Sequence, residues 1–290
     1  VNITPSGHGA LGGELKFKAR NPFPPEAYKA SRGLKECLAQ EAPKESKSCL
    51  AYFLMGDARD PSAPGNVTLT TDHWPVENTP TSYYLRADGS LSREAPKDPP
   101  ASLSYDYDPR DPLPSLGGNY AVSDSRKPQI GPLDQRPQAD RKDVLRFKTE
   151  PLAEPVGITG KVWAELHVSS DVPDTMFVAR LVDIYPDGYE ALIRESAFLA
   201  RFHQAPDKPA PLEKGKVYKL SMDMWSTALV FNKGHRIALY VSSSSDPAYE
   251  VRISDQREAP QWMREGCEVH TGDLRVLEQA QEATAGCTHV

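Results

Sequence analysis

Three runs of the chain alternate apolar and polar residues with a period of two. Val162, Ala164, Leu166 and Val168 share one face, while Trp163, Glu165 and His167 share the other. Tyr218, Leu220, Met222 and Met224 alternate with Lys219, Ser221 and Asp223 in the same way, and Ile237, Leu239 and Val241 repeat the pattern. A period of two predicts strands with one face against a core. Met176–Ile184 is apolar throughout except for Arg180 and Asp183, which predicts a strand buried on both faces.

Shorter signals extend this picture. Leu50–Gly56 is a compact apolar run with a glycine stop, and Thr81–Arg86 is another, closed by Asp88-Gly89. Turns are predicted at Pro186-Asp187-Gly188 and Lys233-Gly234. Many strands at short spacing predict a mainly β chain folded as a jelly-roll β-sandwich.

The two ends differ. Val1–Ile3 has the character of the end of a buried strand, Pro5-Ser6-Gly7-His8-Gly9 that of a loop, and Glu26–Gln40 that of a helix with Pro24-Pro25 in its first turn. The tail after Arg252 lacks β alternation, which predicts poor order or a marginal helix. The expected domain organisation is residues 1–45, 46–251 and 252–290.

The 290 residues suffice for one large β domain or two ordinary ones. Hydrophobic residues make up 39%, and no apolar run approaches the roughly 18 residues of a membrane helix, so a soluble protein is expected. The net charge of -6 is spread without basic blocks, which argues against nucleic acid as a partner. The start shows no signal peptide and no initiator Met, which suggests a beginning inside a longer protein. The four Cys make disulfides a minor staple: Cys37 and Cys49 are either bridged or free, and the compartment, cytoplasmic or secreted, stays open. The 27 Pro cluster at 22–25, 96–100 and 109–114, which predicts ordered loops there. Residues 93–143 form a long excursion of the kind that is functional or pinned by packing.

An ordered series of motifs narrows the reading. It includes Asp72-His73-Trp74-Pro75, Tyr84–Ser92, Tyr105–Pro109 with Asp111–Pro114, and Gly117-Gly118. Asp134–Arg136, Arg141–Phe147, Ser169–Asp171 and Leu181–Gly188 follow, and then Asp223–Trp225, Phe231–Ile237 and Ser242–Ser245. In this order the chain resembles the Xaa-Pro dipeptidyl-peptidase and cocaine-esterase family of serine hydrolases, over about Thr4 to Glu250. The resemblance implies a short C-terminal remnant of an α/β-hydrolase domain followed by the jelly roll. It also implies that Thr4–Gly9 stands where the family carries its catalytic His in a Gly-Pro-Trp-x-His-Gly loop. Pro5, His8 and Gly9 match, whereas Thr4 and Ser6 depart.

His8 is therefore the candidate catalytic residue. A Ser hydroxyl needs a base to take its proton, and a carboxylate to orient that base. α/β-Hydrolases place Ser, acid and His in that chain order, so the nucleophile and the acid are expected upstream of Val1. No Gly-x-Ser-x-Gly elbow occurs in the chain. The implied substrate is a small acyl ester, an amide or a peptide. The implied partners are the upstream α/β-hydrolase domain and a second copy in a homo-oligomer. No cofactor is expected.

Other candidates have plainer explanations. His235 is expected to play a structural hydrogen-bonding role, and Ser242–Ser245 to bond backbone. Asp106, Asp108 and Asp111 lack EF-hand spacing, so Asx turns are expected there rather than Ca²⁺. Cys267 with His270, and Cys287 with His289, fit no standard zinc spacing. Trp225 is expected in the core or at a domain interface rather than in a sugar platform. The alternative function is a non-catalytic binding module for carbohydrate or protein.

Overall fold

The computed structural model describes residues 15, 17, 20, 50–97, 99–118, 131–246 and 249, together with the backbone of 252–255 and 268–271. The predicted helix at 26–40, the Cys37–Cys49 pair and His8 lie outside them.

The strands are β1 (Leu50–Leu54), β2 (Val67–Thr71), β3 (Tyr84–Leu85), β4 (Leu91–Ser92), β5 (Leu145–Lys148) and β6 (Val156–Val168). They continue as β7 (Met176–Ile184), β8 (Glu190–Leu199), β9 (Tyr218–Phe231), β10 (Arg236–Ser242), β11 (Arg252–Asp255) and β12 (Glu268–Thr271). Among the described residues the helical elements are 3-10 turns at Arg136–Gln138 and Ala200–Phe202.

The chain forms a β-sandwich. One sheet has four antiparallel strands in the order β5-β10-β7-β8. Facing it is the long antiparallel ribbon β6–β9. The β1–β2 pair joins that ribbon where the Met55 N–H donates to Ala228 O at 3.0 Å and the Val230 N–H donates to Met55 O at 2.9 Å. The core lies between the layers: Leu166, Leu220, Met222, Met224, Leu229 and Phe231 meet Phe147, Phe177, Leu181 and Val241. Each such side chain contributes roughly 1.5–3 kcal/mol by leaving water. β8 is tied across to β9 by Ser196 Oγ, which donates to Asp223 O at 2.9 Å, and by Arg194 Nη2, which donates to Ser226 O at 2.6 Å.

All of β7 is buried, as its composition predicts. The Pro-rich excursion supplies the second cover: Leu113 and Val144 pack with Val182, Ile184, Leu192, Ala238 and Tyr240 on the outer side of the four-stranded sheet. This contact pins the part of the excursion around Leu113.

Two expectations need correction. The predicted strand at 81–86 shrinks to Tyr84–Leu85, which pairs only with Leu91–Ser92 across the turn at Asp88-Gly89. The tail predicted to be poorly ordered or marginally helical contains β11 and β12, which pair in parallel, Arg252 opposite Glu268 through Asp255 opposite Thr271. Backbone ladder bonding there does not require side-chain alternation, so the sequence pattern carries no trace of it.

Candidate functional site

Two buried polar clusters occupy the four-stranded sheet, and both begin with the charges that interrupt β7. A charge in a strand covered on both faces must be paired. Arg180 meets Glu195 on β8, with both side chains buried. Its Nη1 donates to Ser242 Oγ at 2.8 Å and its Nη2 to Ser244 O at 3.0 Å. Ser245 Oγ donates to Glu195 at 3.1 Å.

The serine run belongs to this network. Ser244 Oγ accepts the Leu113 N–H at 2.9 Å, Ser245 Oγ lies 2.8 Å from Ser115 Oγ, and Ser243 Oγ lies 2.8 Å from Tyr105 Oη. Burial pushes the Tyr105 phenol up to about 12, so it stays neutral. The run ties the covering segment to the end of β10. No serine in it has the exposed turn of a nucleophile, in agreement with the sequence expectation.

The second cluster joins Asp57, Asp183 and His235. His235 Nδ1 lies 2.9 Å from Asp183 Oδ1, and Nε2 lies 3.2 Å from Asp57 Oδ2. The His235 and Asp183 side chains are each 1% exposed, against 14% for Asp57. Burial opposes charge on the ring, but hydrogen bonds and Coulombic attraction, first from Asp183 and then from Asp57, prevail and raise the His235 pKa. Burial raises the Asp183 pKa as well. The Tyr185 ring lies 4.4 Å from the imidazole. Both ring nitrogens face carboxylates, so His235 has no free nitrogen with which to activate a hydroxyl. Its role is structural, as the sequence suggested.

The β1–β2 loop brings Asp57 to this cluster. Asn66, at φ 52, accepts the Gly56 N–H at 3.1 Å through Oδ1 and donates to Asp57 O at 2.6 Å through Nδ2. Asn tolerates this left-handed conformation better than most residues. Gly56 and Gly65 pass so closely that a Cβ on Gly65 would lie 2.6 Å from Met55 O.

The other candidates are dispersed. Asp108 bonds the Arg110 backbone and side chain, which holds its carboxyl down at about 2, and Asp111 pairs with Arg141. The Asp108 contacts are local turn bonds of the expected kind, whereas Asp111 is held by Arg141 from 30 residues away. Among the described residues no group of three or more His, Cys, Asp or Glu is placed to hold a metal. No helix among them is long and apolar enough to cross a membrane. The side chains of Cys267, His270, Cys287 and His289 lie outside the described residues. Trp225 is not in the core: it is 67% exposed at φ 66, and Trp163 is likewise exposed, at 58%.

Sequence reasoning marked Arg180 and Asp183 as exceptions but missed Asp57 and Glu195. The signal available was the pair of charges inside a fully apolar strand, which demands partners without naming them.

Comparison with known proteins agrees with this architecture. Residues 45–260 match the X-Pro dipeptidyl-peptidase C-terminal non-catalytic domain. The chain is 39% identical over 186 residues to a cocaine esterase of Rhodococcus sp. (strain MB1 Bresler), an alignment covering 61% of this chain and 32% of that protein. An aminopeptidase from a marine sediment Thaumarchaeota archaeon superposes with a TM-score of 0.57 and 29% identity, covering 63% of this chain and 32% of that one. An α-amino acid ester hydrolase gives 0.53 and 26% with the same coverages. The chain thus spans about a third of the length of the relatives it matches. With a β-sandwich architecture and a family match over most of its length, the chain belongs to the X-Pro dipeptidyl-peptidase C-terminal domain family, the C-terminal part of hydrolases of the cocaine-esterase type.

Proposed function

We propose that this chain is the C-terminal portion of a serine hydrolase that cleaves amide or ester bonds in a small acyl ester, amide or peptide, and that residues 1–290 have no turnover alone. The observation that carries the second half is the fate of the chemistry-bearing side chains. His235 is held by carboxylates on both nitrogens, and the hydroxyls of Ser242–Ser245 are buried in a bonded network. Neither set is free to form a nucleophile–base pair. The relatives' names, an esterase, an aminopeptidase and an ester hydrolase, support acyl transfer to water as the reaction class.

In this reading His8 is the general base and then the general acid, and the nucleophile and the orienting acid come from an α/β-hydrolase domain of the same polypeptide. The sandwich packs beside that domain and walls the substrate pocket. The division into 1–45, 46–251 and 252–290 follows from the same reading. Treating the purified chain with a fluorophosphonate probe tests it. No serine of residues 1–290 should be labelled, and specific labelling of any one would defeat the proposal.

The exposed pair Trp163 and Trp225 favours a second reading, a carbohydrate-binding module. A glycan array discriminates: tight binding abolished by Trp225→Ala supports the module, and its absence supports the hydrolase reading.

A further inference from the structure

The β1–β2 loop forms one wall of an aromatic seat. Tyr185, Tyr189 and Ala191 bury Leu15 to 1% exposure, with Phe17, Ala58 and Ile193 packed around them. Phe17 also reaches the cluster of Ala51 and Phe53 under β1. Arg20 closes the seat: its N–H donates to Asn66 O at 2.8 Å, and Nη2 donates to Gly65 O at 2.7 Å. Leu15, Phe17 and Arg20 thus meet a loop and sheet face that Asp57–His235 fastens together.

We infer that this seat is the surface on which the hydrolase part of the polypeptide docks against the sandwich, and that Asp57, His235 and Asp183 form a proton-dependent latch holding it. The inference rests on the proposed function for the identity of the docked part. Leu15 is seven residues after His8, a reach of at most about 25 Å, so the seat restrains the chain that leaves the candidate catalytic loop.

The proton count follows from geometry. A neutral imidazole has one N–H and one lone pair, so it can donate to only one of the two carboxylates. Holding both at hydrogen-bond distance requires a second proton, on the ring or on a carboxyl. When that proton leaves, one contact becomes lone pair against lone pair. Asp57 is the partner that can move, since it sits on a loop and is the most exposed of the three.

The other groups facing the latch are accounted for. From the β1–β2 loop, Arg59 pairs with Asp187 and lies over the rings of Tyr185 and Tyr189, at 5.4 and 4.7 Å. Tyr185 accepts the Ala58 N–H at 3.3 Å, and burial raises its pKa further from neutrality. Arg236, next in sequence to His235, turns away to Thr149 O and Glu150. The hydrogen-bonded set that forms the latch is therefore Asp57, His235 and Asp183.

Hydrogen exchange on the 290-residue chain tests the latch. His235→Gln and, as a milder loop variant, Asp57→Asn should each cost at least about tenfold in protection of the Arg20 amide. Protection of Val182, Ala238 and Tyr240 should hold. In the unsubstituted chain, protection at Arg20 should fall as pH rises through the latch, after correction for chemical exchange, and that pH dependence should vanish in both variants. Unchanged Arg20 protection in both variants overturns the inference, and so does an equal loss across β7 and β10, which would give His235 only a general structural role. The outcome is independent of catalysis. A failed latch leaves the hydrolase reading standing, while probe labelling within this chain removes that reading and leaves the latch.

Discussion

Arg180 on β7 and Glu195 on β8 form an ion pair whose side chains are only 2% and 3% exposed, in a sheet covered on both faces. Removing one partner leaves the other charged and dry. Glu195→Ala is predicted to cost about 3–5 kcal/mol of unfolding free energy. The double variant Arg180→Met/Glu195→Leu should cost less than either single change, although Ser242, Ser244 and Ser245 then lose partners worth roughly 1–3 kcal/mol. Urea unfolding of Glu195→Ala, Arg180→Met, Glu195→Leu and the double variant measures this.

The latch gives stability a sign against pH. The folded-state pKa of His235 is raised above its ordinary 6.5, so its contribution is complete below that value and is lost as pH rises through the folded pKa. Burial raises the folded-state pKa of Asp183 as well, so its protonation also favours the folded chain and works in the same direction. The stability difference between the unsubstituted chain and His235→Gln should therefore be largest on the acid side of neutrality and shrink toward alkaline pH. Thermal unfolding across that range checks it, and a difference that grows with pH contradicts it.

Gly65 combines φ +97 with a Cβ position 2.6 Å from backbone atoms of Met55 and Gly56, whereas Gly215 has φ +74 and open space. Gly65→Ala is predicted to cost more than about 2 kcal/mol, and Gly215→Ala about 1 kcal/mol, the conformational part alone. Denaturation midpoints compare the two directly.

Trp225 isolates backbone strain from packing, because its side chain is largely in water at φ 66. Asp223 Oδ1 accepts its N–H at 2.8 Å, a bond that persists whatever the side chain. Trp225→Gly should therefore be more stable than Trp225→Ala by about 1 kcal/mol, read from thermal unfolding. Equal stabilities would assign the strain elsewhere.

Strand content was legible wherever one face met the core. Met222 and Met224 point inward and Asp223 outward, as the alternation predicts. That same alternation already places Trp225 outside, so of the two expected places, core or domain interface, its exposure excludes the core. Partnerships were not legible. Asp57 and His235 are 178 residues apart, and no local pattern joins a loop carboxylate to a strand-end imidazole across that separation. Arg180 and Glu195 announced a need for partners, but only the register of β7 on β8 says which ones. The role proposed for His8 comes from the family resemblance alone, and no periodicity supports it.

On the proposed function, the protein is a serine hydrolase whose reacting serine lies outside these 290 residues. Fluorophosphonate labelling of the native polypeptide from the organism that encodes it, followed by peptide mapping, tests it most directly. The account predicts one labelled serine, in a peptide absent from this sequence, with labelling slowed strongly by His8→Ala. A labelled serine among Ser242–Ser245, or anywhere else within residues 1–290, would contradict it.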